Sequence, residues 1–143
     1  MRRLLAALLL AVCLGAPALA KDSPVVVTLD GRPVDRHGGV AVARLGVVYG
    51  DVVDLVQAFD GVLTFHRNAV LVTIKGTTAR FTVGSRTALI DQGSVVTSGA
   101  AFRRNGDIYV PLTFFVTRVA GAQVRIDKAL AHARIYVNAN PLS

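Results

Sequence analysis

Three histidines are the residues of this chain best suited to bind a metal, since the chain has a single cysteine. His37, His66 and His132 lie far apart in the sequence, with no H-x-H or H-x-x-x-H spacing. Short segments that bind zinc or copper place their ligands a few residues apart. Three imidazoles could still meet in space, but each is equally explained as a surface residue of a loop or strand. The spacing therefore predicts no metal site and no cofactor.

The acidic residues are the next candidates for chemistry, and all nine are aspartates. Acid–base hydrolysis needs two carboxylates in different environments. Helix capping and turn formation account for the aspartates without catalysis: Asp51, Asp54, Asp60, Asp91 and Asp107. The serines in glycine-adjacent segments lack the G-x-S-x-G pattern of a nucleophile elbow. The sequence predicts that the chain is not an enzyme.

Arginines are the candidates for binding. Arg103 and Arg104 are adjacent, and Arg118 and Arg125 follow on a predicted helix and strand. Guanidinium groups form paired hydrogen bonds with carboxylates and phosphates. These four residues predict contacts with an anionic cell-wall polymer or an envelope protein. A solvated basic face is the alternative explanation.

The net charge of the chain is compatible with an anionic partner outside the membrane, and solubility is the alternative explanation. The formal charge is +7, and the sixteen basic residues fall to fourteen against nine acids when Arg2 and Arg3 are removed with a leader segment. Nucleic acid is disfavoured, because no basic helix with interleaved aromatic residues occurs.

The segment 106–127 contains the clearest pattern of local structure. Residues 107–110 predict a strand, Pro111 suits the first helical position, and Gly121 offers a left-handed helix end. The helix between them has an apolar stripe at positions i, i+3, i+4 and i+7, namely Leu112, Phe115, Val116 and Val119. Val124 and Ile126 then alternate with polar residues, which is typical of a half-buried strand.

The same pattern occurs sixty residues earlier. Five residues correspond to similar residues at this constant offset, and only the pair Val48 and Ile108 differs in type: Gly46, Val48, Tyr49, Val56 and Gly61 match Gly106, Ile108, Tyr109, Val116 and Gly121. Asp51 is a good cap for a first helix over residues 52–60, and Gly61 a good stop. We therefore expect a duplicated strand–helix–strand unit, with repeats over about 25–75 and 76–137. Because Tyr49 and Tyr109 are equivalent in the two copies, core packing explains them better than sugar stacking.

The remaining chain reads as short strands joined by turns, with loops at 35–39 and 97–107 and a frayed tail at 138–143. Hairpins without long parallel crossovers indicate an α+β fold. The expected architecture is a mainly antiparallel sheet wrapped on two short helices, forming a single domain over 21–143.

Residues 1–20 predict a secretory signal peptide. Arg2 and Arg3 precede an apolar run over 4–14, and an A-x-A sequence ends at Ala20, where cleavage is expected. The apolar run is shorter than the ~20 residues of a membrane span. Cys13 lies inside this segment, so lipid anchoring is a minor alternative. We expect a secreted, extracytoplasmic chain without a thiol, a disulfide or a membrane span.

Three motifs carry a family resemblance: GTTxxFTVGS over 76–85, YVPL over 109–112, and VAGAxVxxD over 119–127. Together they resemble the copper amine oxidase N-terminal-like domain, or stalk domain, of bacterial envelope proteins. The chain departs from the family where Thr113 and Phe114 replace a common arginine and where Ile126 replaces a tryptophan.

The resemblance implies a non-catalytic accessory module. In the amine oxidases that carry such a domain, copper and the tyrosine-derived cofactor belong to a separate catalytic domain, so no copper ligand is carried over. The first functional hypothesis is a secreted module that binds or spaces components at the cell wall. The alternative is a structural or interaction module that self-associates or pairs through sheet edges. The sequence leaves the oligomeric state open.

Overall fold

The structure is a computed structural model that describes residues 22–35 and 40–137. The predicted signal peptide lies outside the described residues, as do most of the predicted loop at 35–39, which contains His37, and the tail at 138–143.

Short strands dominate the described chain, and two helices interrupt them. The strands are β1 (Ser23–Leu29), β2 (Arg32–Pro33), β3 (Ala41–Arg44), β4 (Val47–Asp51), β5 (Val62–His66), β6 (Ala69–Ile74), β7 (Thr77–Thr82), β8 (Thr87–Ile90), β9 (Gly93–Val96), β10 (Phe102–Arg104), β11 (Asp107–Pro111), β12 (Gln123–Ile126) and β13 (His132–Tyr136). Helix α1 is Val52–Ala58; helix α2 is α-helical over Leu112–Phe114 and π-helical over Phe115–Val119.

The strands form two sheets. The larger, eight-stranded sheet has the order β10-β11-β4-β3-β1-β13-β12, with β2 paired to β1. Its pairings are antiparallel except for β1 with β13, which are parallel. The smaller sheet is an antiparallel meander in the order β5-β6-β7-β8-β9. The predicted α+β class with mainly antiparallel sheet and two short helices is confirmed.

One large apolar cluster occupies the interior. Helix α1 contacts β4, β11 and β5, and α2 contacts β4, β12 and β7, so each helix touches both sheets. Leu55 of α1 and Phe115 of α2 are buried in the same cluster. The predicted stripe of α2 is correct, since each of its residues is at most 2 % exposed: Leu112, Phe115, Val116 and Val119.

Helix α2 differs from the regular helix that its periodicity predicts. The N–H of Ala120 donates to the carbonyl of Phe115 at 3.0 Å, a bond that spans five residues and defines a π-turn. Phe114, which lies outside the predicted stripe, is also in the core, at 9 % exposure. Gly121 ends the helix with φ of 67°, as predicted.

The starts and ends of the helices require two corrections. Pro111 is not the first helical residue; it is the last residue of β11 and precedes α2. The helix predicted over 52–60 ends at Ala58, and the left-handed position after it belongs to Asp60, with φ of 55°, rather than to Gly61. Gly61 is required by space instead, because an added Cβ would lie 2.8 Å from the carbonyl oxygen of Thr73.

The predicted loop over 97–107 is wrong in its second half. Residues Phe102–Arg104 form β10, which pairs with β11 around a two-residue turn. Asn105 and Gly106 in that turn both have positive φ, 51° and 84°. Asn-Gly is the strongest short-range signal for such a hairpin, so the pairing of β10 with β11 could have been predicted from the sequence.

Candidate functional site

Arg103 lies on the exposed side of β10 rather than in a loop. Its Nη2 donates to the carbonyl oxygen of Arg67 at 2.8 Å. Both arginines line a cleft of about 460 Å³ together with Phe65 and Asp107. Arg103 is therefore accessible and positioned at the turn between β5 and β6.

Arg104 belongs to an ion-pair network on the other face of β10. Its Nη1 lies 3.0 Å from Oδ2 of Asp22, and Arg44 donates to the same carboxylate through Nε at 2.6 Å and Nη2 at 2.8 Å. The hydrogen bond from Arg44 is the main cause that lowers the pKa of Asp22. The guanidinium of Arg44 also lies 3.7 Å from the ring centroid of Phe102. Arg104 consequently holds the start of β1 against β3 and β10, which is a structural task.

Arg118 is exposed on α2. Its guanidinium carbon is 6.0 Å from the ring centroid of Phe114, at the limit of a cation–π contact. Both residues line a cleft of about 560 Å³ that also contains Thr117 and Asp127.

Arg125 is exposed on β12 and lies directly opposite Arg134 of β13. The two arginines line a cleft of about 300 Å³ with His132 and Tyr136. Arg134 was not among the predicted binding residues, although it alternates with the buried Ala133 and Ile135 and so must face the same side as Arg125.

The structure does not bring the four predicted arginines into one patch. Arg103, Arg118 and Arg125 line three different clefts, and Arg104 is bound to Asp22. The strands that carry Arg103 and Arg125 stand at opposite ends of the strand order of the larger sheet.

Asp51 has the most perturbed environment among the aspartates. Its Oδ1 accepts a hydrogen bond from the N–H of Val53 at 2.9 Å, so it caps α1 as predicted. Burial raises its pKa to about 7, and the side chain of Asp107 and the charge of Asp54 act in the same direction. A carboxyl with a raised pKa could serve as a general acid. Asp51, however, is only 2 % exposed, which keeps a substrate away from it.

The described histidines lie in different sheets, with His66 on β5 and His132 on β13. Nδ1 of His132 is 3.5 Å from Oδ2 of Asp127. Across the part of the chain that the structure describes, no three His, Cys or Asp side chains are grouped so as to hold a metal ion. Within the same residues, no helix combines the length and apolar character needed to cross a bilayer.

The chain matches a protein-family model over most of its length. The family model described as "Copper amine oxidase N-terminal domain" matches residues 25–135. No curated protein and no solved structure matches the chain. The matched range begins in β1 and ends in β13, so it includes both helices and both sheets.

Proposed function

Because the chain belongs to the copper amine oxidase N-terminal domain family, we propose that it is a non-catalytic accessory module of a bacterial cell envelope, exported to bind or space components at the wall. The observation that carries the proposal is the extent of the family match. It covers the whole fold from β1 to β13, and the domain that it describes is a non-catalytic accessory domain. The proposal extends this property to the whole protein.

Export is supported by the basic start, the apolar run and the A-x-A ending of residues 1–20. Cleavage after Ala20 would leave Asp22 in the mature chain, where it binds Arg44 and Arg104. N-terminal sequencing of the protein recovered outside the cytoplasm tests this step, and we expect the sequence to begin at Lys21. Recovery of the uncut chain in the cytoplasm would contradict export.

Binding at the wall is supported by exposed guanidinium groups and by the basic charge. We expect purified wall material to retain the protein at low salt and to release it at high salt, because exposed charges are screened. Arg103→Ala with Arg118→Ala removes two accessible arginines and leaves the Arg104–Asp22 pair intact. Absence of retention at low salt would contradict wall binding.

We also propose that the two strand–helix pairs are copies of one unit. In support, β4 and β11 each lead directly into a helix, at an offset of sixty residues. They pair with Val110 opposite Gly50, Tyr109 opposite Asp51 and Pro111 opposite Tyr49, so a sixty-residue shift converts the pairing into itself. The strands that follow the helices differ, since β5 joins the smaller sheet and β12 the larger.

A second candidate function, an interaction module, is favoured by the exposed apolar residues on the edge strands of the smaller sheet. Val62 and Phe65 of β5 are 68 % and 50 % exposed, and Val96 of β9 is 72 % exposed. Edge strands with exposed apolar residues can pair with a further strand. Size-exclusion chromatography with light scattering tests self-association, and a strict monomer at high concentration would exclude it.

A further inference from the structure

Two arginines face each other across β12 and β13. Arg125 and Arg134 are register partners in this antiparallel pair, and both are exposed. Directly opposite residues have Cβ atoms about 5 Å apart, and like charges in this position repel each other. The pairing of β12 with β13 therefore includes a local electrostatic repulsion between these two side chains.

The surroundings of the pair do not neutralise it. Among residues 22–35 and 40–137, no carboxylate forms an ion pair with Arg125 or Arg134. Asp127 is the acidic residue of the cleft, and its Oδ1 already accepts the N–H groups of Ala131 at 2.7 Å and His132 at 3.1 Å. Its Oδ2 faces Nδ1 of His132 at 3.5 Å.

A second pair of arginines, Arg44 and Arg104, differs from this one because it binds a carboxylate. Arg44 and Arg104 also approach each other, but Asp22 lies between them and binds both. Arg125 and Arg134 are instead both exposed. Tyr136, two residues beyond Arg134 on the same face of β13, also lines this cleft.

We propose that the cleft formed by Arg125, Arg134 and Tyr136 binds a phosphodiester group of an anionic envelope component. The identity of this component rests on the proposed function, whereas the chemistry rests on the register of β12 and β13. The shape of the acceptor, rather than the number of arginines, favours phosphate over carboxylate, since Asp22 shows that one carboxylate binds two arginines. Hydrogen bonds to carboxylate oxygens lie near one plane, whereas the oxygens of a tetrahedral phosphodiester leave that plane and can accept from donors on two neighbouring strands.

The test measures binding of the purified protein to soluble poly(glycerol phosphate), with polyglutamate as the carboxylate polymer. We expect Arg125→Gln with Arg134→Gln to weaken binding of poly(glycerol phosphate) at least tenfold. The matched control, Lys75→Gln with Arg80→Gln, removes the same charge from exposed positions of the smaller sheet and should change the affinity less than twofold. NMR shifts on adding the polymer should concentrate in residues 123–126 and 132–136.

Equal losses in the two double variants would overturn the proposal, because they would show binding through net charge alone. Equal or tighter binding of polyglutamate would also overturn it. Melting curves and backbone NMR spectra of both variants confirm that each is folded.

Two further arms locate the source of the phosphodiester and separate this proposal from the previous one. Vesicles of phosphatidylglycerol, compared with phosphatidylcholine, present the same group as a lipid headgroup; stronger retention there than on the polymer assigns the site to the membrane surface. If purified wall retains the Arg125–Arg134 variant and its matched control equally, the phosphodiester site is refuted while wall binding stands. If the wall retains neither the wild type nor the variants but the Arg125–Arg134 variant alone loses polymer binding, wall binding is refuted and the site stands.

Discussion

Asp51 combines two opposing roles at the junction of β4 and α1. Its carboxyl oxygen caps the helix by accepting the N–H of Val53, which favours the ionised form. Burial disfavours that form more strongly, and the pKa rises to about 7. Between these two pKa values the folded protein therefore keeps the Asp51 proton, whereas the unfolded chain, with a pKa near 3.8, releases it.

This difference predicts that stability falls as pH rises between about 4 and about 7. Below about pH 4 Asp51 is protonated in both states, and the stabilising contribution is complete. Between about pH 4 and 7 the unfolded chain loses the proton while the folded protein keeps it, so each rise in pH favours unfolding. Asp51→Asn keeps the acceptor of the cap and removes the titration. We expect thermal unfolding of this variant to depend less on pH across the window, and its melting temperature at pH 8 to exceed that of the wild type.

The control for this experiment is Asp22→Asn. The pKa of Asp22 is lowered, so its contribution to stability is present above its ordinary pKa of 3.8 and is lost as pH falls below that value. This variant should therefore leave the slope between pH 4 and 7 unchanged. A wild-type melting temperature that rises from pH 4 to 7, or an unchanged slope in Asp51→Asn, would contradict the assignment.

Arg134 gives a second prediction at the scale of the residue. Because Arg125 lies directly opposite, Arg134→Gln removes a repulsion and should raise the free energy of unfolding by about 0.5 kcal/mol at low salt. The gain should disappear in high salt, where exposed charges are screened. Urea unfolding at two ionic strengths measures both effects, and a destabilised variant would show that Arg134 has a structural partner.

The apolar stripe of α2 shows what periodicity predicts well. Leu112, Phe115, Val116 and Val119 are buried as expected, because burial of an amphipathic face depends on local spacing. The π-turn over Phe115–Val119 was not predicted, since it depends on how the helix end packs rather than on the apolar pattern. Asp51 was predicted correctly as a helix cap, but the left-handed residue after α1 was wrongly predicted to be Gly61. Asp60 adopts that conformation, whereas Gly61 is needed because its surroundings leave no space for a Cβ.

Replacing Phe115 with alanine should lower the free energy of unfolding more than replacing Phe65 with alanine. It is fully buried and its ring centroid lies 6.1 Å from that of Phe81, so Phe115→Ala should destabilise the protein by about 3–5 kcal/mol. The control is Phe65→Ala on β5, where the side chain is 50 % exposed, and a much smaller loss is expected. Denaturant unfolding measures both, and similar losses for the two variants would contradict the assigned core.

Gly61 tests the contact between α1 and the smaller sheet. An added Cβ would lie 2.7 Å from Cγ1 of Ile74 and 2.8 Å from the carbonyl oxygen of Thr73. The backbone oxygen cannot move without disturbing β6, so Gly61→Ala should be destabilising by about 1–3 kcal/mol, as for other overpacked sites. A neutral effect on the melting temperature would show that β5 and β6 shift freely relative to α1.

At the scale of the whole molecule, the fold class could be predicted because hairpin spacing and helix periodicity are local properties. The arrangement of the candidate binding residues could not, because it depends on which strands are neighbours. The pairing of β1 with β13 joins residues about a hundred positions apart. The order of the larger sheet separates Arg103 from Arg125, and the register of β12 with β13 brings Arg125 to Arg134.

Apolar side chains fill the described interior, and Arg103, Arg125 and Arg134 are exposed on strands of the larger sheet. The proposed site binds an anionic envelope polymer through phosphodiester groups, and this binding can be measured on the wall itself.

The most direct measurement compares retention of the protein on purified wall before and after its phosphodiester polymers are removed chemically, with the peptidoglycan left intact. The account predicts salt-sensitive retention on untreated wall and its loss on stripped wall. Equal retention on both materials would contradict it, because binding would then require no phosphodiester.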